Sequence, residues 1–209
     1  MRKLTISTII LFIGAFSNLN AQNLFEKSNH FIDISLGGGS YNTTVNNPTD
    51  KNGDGGQTLL GINYEYALSN HWGIGAILEL GGSENKDLNT KYSSSTFGIK
   101  GYYHFYNTEK TTFYASLALC GAGAKSENPF RTFNSIKGSG NNVQLGAGFK
   151  HKLFADWCAF HANLNLTRYT FSEWKTEFDD EPIKNNLGTE KLKIQMGGIN
   201  FTTGLTFKF

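Results

Sequence analysis

Proline is nearly missing from this chain, with three in 209 residues. A residue that cannot donate to a β-ladder is thus kept out of most segments, so long strand pairing is allowed. Cysteine is as scarce, with two residues, which excludes a disulfide-built scaffold. Beyond the N-terminus no apolar run is long enough for a membrane helix. No charge of one sign dominates either: 19 Lys and Arg against 17 Asp and Glu leave a formal net charge of +2. That balance removes the electrostatic basis for a nucleic-acid partner. What the chain does have is glycine and rings, with 24 Gly, 17 Phe and 9 Tyr. This composition suits strands that carry aromatics and crowded places that need no side chain.

The first residues read as a secretory signal. Arg2 and Lys3 supply a positive start, Leu4 to Phe16 an apolar stretch, and Leu19-Asn20-Ala21 a cleavage region. The expected domain division is therefore a signal peptide over 1–21 and one folded domain over 22–209. Leu19 is not the small residue preferred three positions before cleavage, so the signal is better defined than its cut. No Cys follows the apolar stretch, which argues against a lipoprotein anchor.

The remainder alternates with period two in eight segments. They run over about His30 to Tyr41, Gln57 to Leu68, Trp72 to Gly82, Ser94 to Tyr106, Thr112 to Ala124, Asn142 to Leu153, Trp157 to Tyr169 and Lys193 to Phe209. In the third, Trp72, Ile74, Ala76, Leu78 and Leu80 oppose Gly73, Gly75, Glu79 and Gly81. The connections alternate too: roughly 42–56, 83–93, 125–141 and 170–192 are long, while those after the second, fourth and sixth segments are short. All long loops therefore lie at one end. The expected fold is all-β, an eight-stranded antiparallel up-and-down barrel. A mean hydropathy of −0.34 is compatible with a membrane-spanning version, because lipid-facing and lumen-facing residues alternate.

Alternation alone does not say which face looks outward, since a soluble lipocalin-like barrel has the same period. Three features select the membrane version. The last segment alternates Phe201, Leu205, Phe207 and Phe209. Rings gather near the short turns, at Tyr64, Tyr66, Trp72, Tyr103, Phe105, Phe113, Phe149 and Phe160, where a headgroup girdle belongs. The opposite face mixes Gly with charges of both signs, as a narrow, side-chain-filled interior requires.

From Gln22 to Phe209 the chain resembles the small outer-membrane β-barrel families of Gram-negative bacteria: OmpA-like transmembrane domains, OmpX and opacity-type proteins. The carriers are the eight amphipathic segments, the loop asymmetry and the terminal Ile199-Asn200-Phe201-Thr202-Thr203-Gly204-Leu205-Thr206-Phe207-Lys208-Phe209. The resemblance implies residence in the outer membrane, contact with its lipids, and reading of the terminal aromatics by periplasmic chaperones and the barrel assembly machinery. No periplasmic domain is expected after Phe209. The implied role is structural or surface-interacting, with a narrow ion-conducting barrel, a lipid-A-modifying enzyme and an adhesin-like protein as alternatives.

Projection of the segments places Asp33, Glu65, Glu79, Lys100, Lys150 and Lys208 in the lumen. Glu79 and Lys100 fall at similar heights and are expected to pair. Asp33 and Glu65 are nearly opposed, so Lys150 is expected between them from across the barrel. Asp50, Asn52 and Asp54 open a calcium-loop pattern, yet its twelfth position is Gly61 rather than a carboxylate; a turn-rich loop is the plainer reading. No cofactor is expected. The five histidines form no catalytic grouping with a serine near the outer rim. Cys120, high on the fifth segment, and Cys158, low on the seventh, are expected to stay unbridged. Phe130, Phe133, Phe171, Trp174, Phe178 and Ile183 are assigned to exposed loops. With the acidic run from Glu177 to Glu181, these loops could meet an extracellular ligand.

Overall fold

The computed structural model describes residues 23–46, 53–85, 90–127, 135–176, 182–185 and 188–209. Eight strands follow one another: β1 (His30–Val45), β2 (Gly53–Ala67), β3 (Trp72–Asn85), β4 (Thr90–Asn107), β5 (Thr111–Glu127), β6 (Ser135–Ala155), β7 (Cys158–Thr176) and β8 (Ile194–Lys208). Each pairs antiparallel with its neighbour in sequence, and β8 returns to β1, which closes the barrel. Closure removes every sheet edge, a condition for crossing lipid with strands.

The register shows how the strands are staggered. Stepping across paired residues from Asp33 through Asn63, Ile77, Gly98, Cys120, Asn142, Tyr169 and Met196 arrives at Thr43, ten residues further along β1. This shear tilts the strands and sets a bore that side chains fill.

The strands run past the alternating apolar segments, mostly at the long-connection end. A tilted strand needs only about 9–11 residues to span the hydrocarbon, whereas β3 has 14 and β6 has 21. The extra length is rich in Gly, Ser and Asn, as in Ser135 to Asn141, and keeps the backbone ladder without an outward apolar face. Sequence periodicity follows burial, so it stops at the lipid boundary while the hydrogen bonds continue. The long connections are correspondingly shorter than expected.

The face assignment is unambiguous. Ile34, Leu36, Ile62, Leu78, Phe97, Ile99, Leu117, Leu119, Leu145, Leu164, Leu166 and Ile199 all point outward and are exposed, Phe97 at 67%. A continuous aliphatic belt of this extent is incompatible with water and matches a lipid-facing surface. Below it, rings cluster at the short-turn end: Trp72 packs on Tyr103 at 4.7 Å between centroids, and Phe149 lies 5.8 Å from Phe113 and 6.0 Å from Phe160.

Both ends are stoppered. At the short-turn end the segment before β1 folds under the barrel and inserts Phe25, which is fully buried. Its backbone is held by Phe25 N–H donating to Asn107 Oδ1 (3.1 Å) and Asn107 Nδ2 donating back to Phe25 O (2.6 Å). At the other end Tyr41, Ile136, Tyr169, Phe171, Trp174 and Met196 form an apolar cluster inside the mouth. Phe171 and Trp174 are thus not loop residues: β7 extends through them and buries both. Ile183 packs partly buried against the same cluster, while Phe130, Phe133 and Phe178 lie outside the described residues. The expected signal peptide also lies outside them.

Lipid exposure makes a depth-dependent prediction. Leu117→Arg, in the middle of the belt, is expected to lower the unfolding free energy in lipid vesicles by about 2–4 kcal/mol, and Leu153→Arg, near the short-turn rim, by about 0–1. Equal costs in urea titrations would mean that the belt does not face hydrocarbon.

Candidate functional site

Inward positions alternate along each strand, and polar layers result. The lowest holds the charges. Lys150 of β6 reaches across the bore, its Nζ 3.1 Å from Asp33 Oδ1 on β1 and 2.8 Å from Glu65 Oε2 on β2. All three side chains are enclosed. The second oxygen of Glu65 accepts from His104 Nε2 of β4 at 2.8 Å, and His104 Nδ1 lies 2.8 Å from Thr112 Oγ1 on β5. On the other side Thr206 of β8 donates to Asp33 Oδ1 at 2.7 Å, with His161 Nδ1 of β7 3.1 Å behind it. This chain of contacts ties seven of the eight strands together at one level. Strand β3 contributes room instead, since a Cβ at Gly73 would overlap Glu65 Oε1.

Aromatic faces complete the layer. Lys150 Nζ sits 4.7 Å from the Phe31 ring centroid, within cation–π range. Phe25 stacks on His104 with centroids 3.6 Å apart and on Phe31 at 5.4 Å. The stopper and the charge layer are therefore one packed unit.

The next layer up corrects the expected Glu79–Lys100 pair. The register sets Glu79 opposite Thr96 and Lys100 opposite Gly75, four residues apart along β4. Glu79 instead accepts from Tyr169 OH at 3.1 Å and Gln144 Nε2 at 3.4 Å. Lys100, also buried, lies with its Nζ 5.1 Å from the Tyr102 ring. Lys208 is not part of the lumen network either. It stands half-buried at the short-turn mouth, two residues beyond Thr206 on β8, its Nζ donating to Leu24 O at 3.2 Å. Amide and hydroxyl pairs also fill the bore, such as Asn165 to Asn200 at 2.8 Å and Asn142 to Thr167 at 2.8 Å.

The terminal aromatics occupy the outer face of β8. Phe201, Leu205 and Phe209 are exposed, and Phe207 stacks on Trp157 at 6.2 Å. Both cysteines are free and buried. Of the calcium-pattern residues, Asp54 is exposed on β2, while Asp50 and Asn52 lie outside the described residues. Among the described residues no group of three or more His, Cys, Asp or Glu is arranged to hold a metal. His30 and His71 sit at the short-turn rim, His30 Nδ1 2.8 Å from Tyr64 OH. His151 faces outward, with Nδ1 2.7 Å from Thr111 Oγ1.

Sequence reading missed four contributors. His104 and His161 were visible as inward positions of their strands, but nothing in the alternation marks a histidine as a partner of a carboxylate across the bore. Phe25 precedes all periodicity and left no signal. Trp174 follows an irregularity in β7 that alternation cannot foresee.

No family model matches the chain, and no curated protein matches it. Solved structures do. The outer membrane protein OprG from Pseudomonas aeruginosa superposes with a TM-score of 0.54 at 14% identity, over 88% of this chain and 97% of that one. The N-terminal β-barrel domain of OprF from the same organism gives 0.48 at 14% identity, over 90% and 100%. Ail, the attachment invasion locus protein of Yersinia pestis, gives 0.45 at 15% identity, over 88% and 99%. At these identities the likeness is one of fold.

Removing the bridging cation tests the charge layer. Lys150→Met is expected to leave Asp33 and Glu65 uncompensated and to cost about 3–5 kcal/mol of stability in urea. Adding Glu65→Gln should recover part of that loss. A single variant as stable as the parent would show that the layer does not depend on Lys150.

Proposed function

We propose that this integral outer-membrane β-barrel is a closed scaffold, serving a structural or surface-interaction role rather than passing solutes. The observation that carries the reading is the triple stoppering of the bore: Phe25 beneath, the Lys150 layer above it, and the apolar cluster around Trp174 at the far mouth. Each level buries side chains that an open pore would wet. Eight strands leave too little width for a water column beside such residues.

Two further parts of the reading rest on sequence placement. The outward alternation of Phe201, Leu205, Phe207 and Phe209 on the closing strand suits recognition by periplasmic chaperones and the assembly machinery. The long connections, with their rings and the acidic run from Glu177 to Glu181, suit an extracellular ligand carried on a rigid base. A narrow ion-conducting barrel is the second reading, favoured by one observation: buried Lys100 lacks an ion pair among the described residues, so a cation stands ready to exchange partners.

Planar-bilayer recording separates the two. The refolded full-length protein is expected to give no steady unitary steps in 1 M KCl. Sustained, reproducible steps would overturn the closed-scaffold reading and favour conduction.

A further inference from the structure

The outward face changes character where the aliphatic belt ends on β4 and β5. Beyond Phe97 and Leu119, toward the long connections, the outward residues are Ser95 and Ser93 on β4 and Gly121 and Gly123 on β5, followed by Lys125. Strand pairing sets them in rows. One row runs Leu80, Ser95 and Gly123 across β3, β4 and β5. The next, one step nearer the long connections, runs Ser93, Lys125, Lys137 and Lys175 across β4 to β7. Three lysines thus stand abreast on neighbouring strands, although like charges directly opposite repel one another.

The two glycines leave a notch below Lys125. A Cβ at Gly123 would meet Ser95 Oγ at 3.0 Å, and one at Gly121 only Phe97 O at 3.9 Å. The result is a shallow groove of about 550 Å³ walled by Leu80, Ser93, Ser95, Gly123, Lys125 and Lys137. The rest of its wall belongs to the inward neighbours Gly81, Ser94, Ala124 and Gly138, of which Ser94 is bonded to Gln57 Oε1 at 3.3 Å. The groove is graded along its length. Its lower end is Leu80, exposed and continuous with the belt; its upper end carries two cations, and two exposed hydroxyls lie between. Glu127, further along β5, holds Lys125 Nζ at 2.8 Å. An ammonium has three N–H donors, so Lys125 can serve that carboxylate and an anion below it together.

We infer that this groove is a binding site for the phosphate headgroup of a lipid in the adjoining leaflet, its chains laid on Leu80 and Phe97 and its phosphate among Lys125, Lys137 and the two serine hydroxyls. Continuity with the lipid-facing belt selects a lipid over a dissolved anion, because only an amphiphile matches both ends of the groove. Charge complementarity selects an anionic headgroup: lysine binds phosphate as a point charge, and lysines at a membrane surface attract anionic lipids. The inference deepens the surface-interaction reading by naming a ligand class, and it needs a barrel that sits in lipid but not one that is closed.

The test uses the folded full-length protein in phosphatidylcholine nanodiscs, ¹⁵N-labelled at glycine and serine, so that the Gly123 and Ser95 amides report on the groove. Three probes are titrated: phosphatidic acid, the diacylglycerol with the same chains and no phosphate, and glycerol 3-phosphate with no chains. Phosphatidic acid is expected to shift both signals saturably, with the other two at least about tenfold weaker. Lys125→Gln and Lys137→Gln should each weaken phosphatidic acid about fivefold, and together about 25-fold. Lys184→Gln makes the same charge change on an exposed lysine outside the groove and should leave the affinity as it was. Heat-modifiable gel mobility checks that each variant is folded. Equal shifts from diacylglycerol overturn the inference, as does equally tight binding of glycerol 3-phosphate, which would make this a site for dissolved phosphate. Parental affinity in the double variant overturns it too, and so does an equal loss in Lys184→Gln, which would reduce the attraction to diffuse surface charge. Bilayer conductance, by contrast, would refute the closed scaffold and leave this titration to be decided on its own result.

Discussion

One ammonium group holds two carboxylates in a space that water cannot flood. Lys150 lies within 3.1 Å of Asp33 and 2.8 Å of Glu65, and all three are enclosed. A charge in that position pays a desolvation cost that only close, well-bonded partners return. The remaining oxygen contacts are therefore as important as the ion pairs: His104 on Glu65 and Thr206 on Asp33 satisfy the carboxylates from strands that Lys150 does not reach. The layer works only if strands β1, β2, β4, β6 and β8 keep one relative height. It thereby specifies the register of a barrel whose backbone ladder alone would tolerate slips.

The outer face places the opposite demand on the same strands. Hydrocarbon supplies no hydrogen bonds, so every backbone group must be paired within the barrel and every outward side chain must be apolar. Alternation reconciles the two faces within one strand: Ile62 and Tyr64 look outward while Asn63 and Glu65 look in. The ends of the bore lie beyond this rule, and there the chain changes device. A segment outside the barrel provides Phe25 for one mouth, and a bulge in β7 provides Trp174 for the other.

Sequence legibility follows the same division. Strand number, order and facing were readable because Leu117, Leu119 and their counterparts repeat a period that lipid enforces. Asp33, Glu65, Glu79, Lys100 and Lys150 were readable as inward because they share strands with that period. Their partners were not equally readable. Height on neighbouring strands suggested Glu79 with Lys100, but the tilt of the strands separates them, and Tyr169 and Gln144 take the carboxylate instead. Contacts across a bore depend on shear, which no single strand records. Lys208 still pairs with β1, but it lies two residues beyond Thr206, at the mouth, where its Nζ meets Leu24 O of the segment before β1.

Phe171 and Trp174 show why the loops of such a protein are the hardest part to read. Both are large and apolar, and both follow the last clear alternation, so sequence puts them in solvent with Phe178. Strand pairing continues past them because hydrogen bonding needs no apolar face, and one extra residue then reverses the inward phase. A single insertion thus converts a residue that would have faced the outer surface into the lining of an enclosed mouth. The ladder position lost at Ser172 must be offset by what Trp174 gains inside. Packing against Gly138 and Phe171 supplies it.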